Sequence, residues 1–129
     1  MDLLSATKTK SGFQIQVRKH QLIFAGHDAA GGPDRNLSPI ELFVASLGSC
    51  VLLMVDAYCQ KHGYTDGETA VHMTYALGDT PRRITSVTID LEIPKDVPEE
   101  KKAAIRRAAE TCPIHRSLQL KPEIDLEIL

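Results

Sequence analysis

Short stretches in which apolar and polar residues alternate flank a single long apolar run in the middle of this chain. Phe13, Ile15 and Val17 alternate with Gln14 and Gln16, and a second stretch, Gln21 to Phe24, follows the polar Arg18, Lys19 and His20. That is the pattern of a hairpin, and two or three N-terminal strands are predicted. Residues 26–36 are rich in turn formers and lack the spacing of a phosphate-binding fingerprint, so they are read as an ordered loop. Ser38, Pro39 and Glu41 then announce a helix: Ser at the N-cap, Pro at the first helical position, and Glu three residues after Ser closing a capping box. From Leu42 to Val55 there are 14 residues without a charge, too few to span a bilayer. A helix apolar on every face must then be surrounded by protein, so this one is predicted to be central and buried. Ala45, Ser46, Gly48 and Ser49 would let another backbone approach it, and Gly63 is a natural stop.

Downstream, Thr69–Leu77 and Ile84–Ile93 are β-branched and alternating, and Gly78, Asp79, Thr80 and Pro81 link them as an antiparallel pair. Asp96 to Glu99 caps a second helix that carries Ala103, Ala104, Ala108 and Ala109 up to Thr111. Pro113 interrupts it, a short third helix runs to about Leu120, and Ile124 to Ile128 read as a last strand. The predicted order, βββ-α-ββ-αα-β, is α+β, because strands pair locally instead of alternating with helices.

The 129 residues fit one domain, 1–129, and the length suffices to bury about two-thirds of the unfolded surface without disulfide or metal. Only about 100 residues are left to cover a helix apolar all round. Packing it against its twin in a homodimer is the solution that the pattern suggests. Fifteen Lys+Arg against 17 Asp+Glu, spread along the chain, leave no basic footprint for nucleic acid. The first ten residues hold Asp2, Lys8 and Lys10 and no signal-peptide run, so the expected compartment is the cytoplasm. An odd count of three cysteines without a CxxC reads there as free thiols.

Cys50 lies mid-helix, with Gly48 and Ser49 leaving space beside it; it is either a small core hydrophobe or a reactive thiol. Cys112 precedes Pro113 at the N-cap of the third helix, where unpaired N–H groups and the helix dipole should favour a thiolate; its alternative is a packed junction residue. His115, three residues on, is a proton partner or a polar cap. Cys59 is half a turn out of phase with Cys50 and cannot pair with it. With His62 it supplies only two ligands, so no metal site is expected and Cys59 is read as packing. Glu41 has a structural role in the capping box. It also stands two and a half turns before Cys50, where it could hold an arginine at the helix entrance. Arg18, Arg35 and Arg116 are the candidate cations.

Gly31-Gly32-Pro33-Asp34, Ser38-Pro39-Ile40-Glu41-Leu42-Phe43, Ala45-Ser46-Leu47-Gly48-Ser49-Cys50 and Cys112-Pro113-Ile114-His115-Arg116-Ser117-Leu118, taken in order, resemble the OsmC/Ohr family of cysteine-based hydroperoxide reductases. The resemblance implies an intertwined homodimer with paired central helices, wrapped by antiparallel sheet and with a site at the subunit interface. It implies that Cys50 attacks an organic (alkyl or fatty-acid) hydroperoxide and that Cys112 resolves the sulfenic acid as a disulfide, which a cellular dithiol reduces, with no cofactor. In the organic-hydroperoxide branch a Glu directly follows the helix-opening Pro and holds an Arg against the thiol. Here that position is Ile40, the acid comes one residue later as Glu41, and the Arg is placed on Arg18, so the match is closer to the shorter OsmC-like branch. The expected function is a thiol-dependent peroxidase using Cys50, Cys112, Arg18 and Glu41. The alternative is a non-catalytic OsmC-like dimer holding an apolar ligand at its interface. A Cys112/His115 hydrolase ranks below both, for want of an oxyanion motif.

Overall fold

The computed structural model describes residues 1–10, 12–26 and 36–129, so most of the loop expected between Gly26 and Asn36, with Arg35 in it, lies outside the described residues. The chain divides into two compact units, Met1–Phe43 and Val44–Leu129.

In the first unit β1 (Leu4–Thr9), β2 (Gly12–Val17) and β3 (His20–Phe24) form an antiparallel sheet in that order. The register sets Ile15 opposite both Ala6 and Leu22 and Phe13 opposite Phe24, so the apolar half of each alternation shares one face while Gln14 and Gln16 share the other. The Phe13 and Phe24 rings meet at 5.5 Å. Even so, no described residue of the three strands is buried.

Helix α1 (Pro39–His62) begins with the predicted capping box: the Glu41 N–H donates to Ser38 Oγ and the Ser38 N–H to Glu41 Oε1, both at 3.1 Å. It ends at Gly63, whose φ of +74° allows the Tyr64 N–H to reach the Cys59 carbonyl at 2.9 Å and the Gly63 N–H to reach the Gln60 carbonyl at 3.3 Å, a Schellman stop. At 24 residues it is longer than its uncharged core, and by length and apolar composition alone it would pass for a membrane span.

Within the single chain the helix is buried on one side. In the second unit Val44, Leu47, Gly48, Val51, Val55 and Cys59 form a single buried stripe, while on the opposite side Ser46 and Ser49 are exposed and Leu53 is 64% exposed. The stripe packs with Val97, Ile105 and Cys112, and with Val87, Ile89 and Leu91 from the antiparallel hairpin of β4 (Ala70–Asp79) and β5 (Arg82–Glu92). At Gly48 the close neighbour is a side chain and not a backbone: a Cβ there would overlap the Met73 thioether.

Residues 99–101 make a 3-10 turn that leads into α2 (Lys102–Glu110), which anchors through buried Ile105; α3 (Pro113–Gln119) follows. Asp96 does not cap α2. Its carboxylate instead accepts the N–H groups of Thr65 and Asp66, each at 3.2 Å, tying the turn after α1 to the approach to α2. The last strand expected at Ile124–Ile128 is absent. Residues 121–129 are exposed and belong to no helix or strand, and among the described residues no sheet edge pairs with them.

Candidate active site

Two helices bring the thiols together. Cys50 is half-buried on α1, and Cys112 is 0% exposed at the N-cap of α3, where Pro113 occupies the first turn because that position needs no N–H. The Cys112 thiol has the Cys50 thiol as a close neighbour and accepts the backbone N–H of His115, at 3.4 Å. The pairing of these two cysteines, 62 positions apart, is the central geometric fact of the site.

The proton inventory differs from the sequence expectation. Burial, and next the Cys50 thiol beside it, push the Cys112 thiol up from its ordinary value, while the N–H groups of His115 and Ile114 pull it the other way and lose. Desolvation of a fully enclosed sulfur outweighs two helix-end dipoles, so Cys112 is held as a thiol. The N-cap position predicts a thiolate only where water still reaches the sulfur.

Cys59 has the packing role expected of it: 1% exposed, with burial and then Asp56 and Asp96 pushing its thiol up. His62 stacks on Tyr58 at 4.1 Å and its Nδ1 lies 2.9 Å from the Tyr58 carbonyl, to which it donates as the Nδ1–H tautomer. Among the described residues no group of three or more His, Cys, Asp or Glu side chains is placed to hold a metal. A hollow of about 300 Å³ lined by Leu52, Leu53, Asp56, Tyr64 and Pro94, among others, includes neither Cys50 nor Cys112.

Arg18 and Glu41 belong to the first unit. Arg18 sits in the β2–β3 turn with φ +52° and binds Asp2 at 3.0 Å across an exposed ion pair. Glu41 closes the capping box. Arg116 is exposed on α3 and Arg35 is outside the described residues. Two features escaped the sequence reading: the Ile114 N–H directed at Cys112, and Met73 over Gly48. The second was available in principle, since Met73 falls on the apolar side of the β4 alternation and α1 has only Gly48 where a thick side chain must pass.

The OsmC-like protein family model matches residues 31–127. No curated protein matches the sequence. Among solved structures, an OsmC-like protein from Mycoplasma pneumoniae superposes with a TM-score of 0.76 at 15% identity, covering 92% of this chain and 87% of its own. An organic hydroperoxide resistance protein OsmC from Legionella pneumophila gives 0.67 at 18% identity, over 92% and 89% of the two chains. The organic hydroperoxide resistance protein OhrB of Bacillus subtilis gives 0.65 at 18% identity, over 94% and 92%. Identities this low carry the fold and not the activity, while the family match spans both cysteine motifs and the elements between them: the chain belongs to the OsmC-like protein family.

Proposed function

We propose that this protein is a thiol-dependent peroxidase that reduces organic hydroperoxides, with Cys50 as the attacking thiolate and Cys112 as the resolving thiol. The observation that carries the reading is the neighbouring pair of thiols in which Cys50 is partly accessible and Cys112 is enclosed and holds its proton. The names of the Legionella and Bacillus neighbours point the same way.

The chemistry balances as two thiol steps and one exchange. The Cys50 thiolate attacks the outer peroxide oxygen, the O–O bond breaks, and the leaving alkoxide takes a proton to become the alcohol while Cys50 becomes a sulfenic acid. Cys112 attacks that sulfur, the S–O bond breaks, water leaves and the Cys50–Cys112 disulfide forms. A cellular dithiol then reduces the disulfide by exchange and is itself oxidised. Reaction in the cytoplasm would keep such a dithiol at hand. Arg18 is assigned as the cation that serves the thiolate and Glu41 as the acid that holds it. The Arg18–Asp2 pair does not oppose this assignment, since an exposed ion pair contributes only about 0–1 kcal/mol and exchanges readily. The working unit is a homodimer in which the exposed Ser46, Ser49 and Leu53 side of α1 meets its twin.

Stoichiometric cumene hydroperoxide added to the reduced protein, followed by mass-spectrometric disulfide mapping, tests the reading. The expected product is a Cys50–Cys112 bridge, with peroxide consumption lost in Cys50→Ser. Thiols that stay unreacted would sink it and leave the ligand-binding dimer as the surviving reading.

A further inference from the structure

We infer that the hollow between α1 and the loop of residues 64–69 is a binding site for a small organic cation, a primary ammonium on a compact apolar body. The hollow is built within the second unit and includes neither Cys50 nor Cys112, so the inference does not depend on the peroxide chemistry.

Three observations carry it. The first is that the hollow is preformed. Its wall is the turn that follows α1, and hydrogen bonds pin that turn along its length: the Tyr64 N–H donates to the Cys59 carbonyl, the Thr65 and Asp66 N–H groups to the Asp96 carboxylate, and the Lys95 N–H to the Asp66 carbonyl at 2.8 Å. The Tyr64 ring is aligned as well, lying within 15° of parallel to the His62 ring, which itself stacks on Tyr58. The second observation is the lining. Buried Pro94, half-buried Leu52 and the Tyr64 ring border a space of about 300 Å³, which suits an apolar body of about one ring.

The third observation is charge. Asp56 is the charged residue of the lining, and among the described residues no cation pairs with it; its hydrogen-bond partner is the Gln60 amide, at a long 3.5 Å. Water does not screen that carboxylate fully, because after burial itself Asp56 is the next cause of the raised Cys59 thiol. Asp66 and Glu68 lie in the same loop, so an anion entering the hollow meets three acids. Among the described residues no group of three His, Cys, Asp or Glu side chains is placed to hold a bare metal ion. An ammonium fits what is present: Asp56 accepts a charge-assisted hydrogen bond, the Tyr64 ring attracts the cation, the Thr69 hydroxyl accepts a further N–H, and Leu52 and Pro94 take the body.

Phenethylammonium, phenethyl alcohol and phenylpropionate share one body and differ in charge. Each is titrated into the full reduced chain while amide shifts are read by NMR. The ammonium is expected to bind with a Kd of about 1 mM, about tenfold tighter than the alcohol, with the carboxylate weakest. Its shifts should gather on residues 52–56 and 64–69. Asp56→Asn alters an exposed side chain without changing its shape, so it should leave the alcohol's affinity unchanged and bring the ammonium down to it. Equal affinities for ammonium and alcohol in the wild type would overturn the inference, and that comparison needs no variant. Shifts centred on Cys50 or elsewhere, no binding of the ammonium at all, or an ammonium affinity unmoved by Asp56→Asn would overturn it too.

Discussion

Burial and the neighbouring Cys50 sulfur both keep the proton on Cys112, and burial does the same at Cys59, so the fold is linked to pH on the alkaline side. Unfolding returns each thiol to its ordinary value near 8.5, where it ionises before the folded one does. Above that pH the unfolded chain therefore binds fewer protons than the native one and stability falls as pH rises; below it the contribution of the two thiols is fully present. Urea midpoints measured from pH 7 to pH 10 should decline through the thiol range, and Cys59→Ala should flatten the decline while lowering the whole curve through the lost packing. A flat profile in the wild type would contradict the enclosure of both sulfurs. Arg18 makes a different residue-scale argument. Its φ of +52° is a conformation that costs a non-glycine residue about 1–2 kcal/mol, and its ion pair with Asp2 is exposed. Arg18→Gly is thus expected to lie within about 1 kcal/mol of neutral in urea unfolding, relief of strain offsetting the freedom that glycine gains in the unfolded chain. Under the proposed chemistry the same change slows peroxide consumption. Lost stability with an unchanged rate would make Arg18 a turn residue only.

The ends of α1 were readable from single residues because local hydrogen bonds decide them: Ser38 and Glu41 satisfy each other's N–H groups, and Gly63 reaches a φ that side chains avoid. Asp96 was misread for the complementary reason. It has the sequence setting of an N-cap, but the N–H groups it accepts belong to Thr65 and Asp66, some 30 residues away, and no local rule reports a partner at that distance. Local rules likewise say nothing of Cys50 and Cys112 meeting, which only the family resemblance implied: each motif is visible by itself, while their meeting depends on how α3 is docked. That docking follows from α2, whose buried anchor is Ile105, at 2% exposure. Ile105→Ala should cost about 2–5 kcal/mol, as large-to-small changes in a core do. Because α2 leads directly into Cys112, the variant should also raise the rate at which Cys112 reacts with a thiol reagent. A destabilised variant whose Cys112 stays as slow as in the wild type would show that α3 is held independently of α2.

At the scale of the molecule, patterning states which side of a helix or strand avoids water but not whose atoms will cover it. The last strand was expected to find its sheet within the chain and does not, whereas the cover for the rest of α1 was expected from a twin helix. What one chain leaves open is an α1 side with Ser46 and Ser49 flanking a Leu53 that is 64% exposed. In a two-fold dimer built on that side each substitution acts twice, and two introduced carboxylates face each other across the axis. Leu53→Glu changes only an exposed residue in the monomer, so its urea unfolding at low concentration should stay within about 0.5 kcal/mol of the wild type. In the dimer the facing charges cost several kcal/mol, which weakens association by about a hundredfold or more. Sedimentation at micromolar concentration should then move from twice the chain mass to the 14.2 kDa single chain, and the wild-type melting temperature, unlike the variant's, should rise with protein concentration. A variant that remains dimeric with unchanged affinity would place the interface elsewhere than on α1.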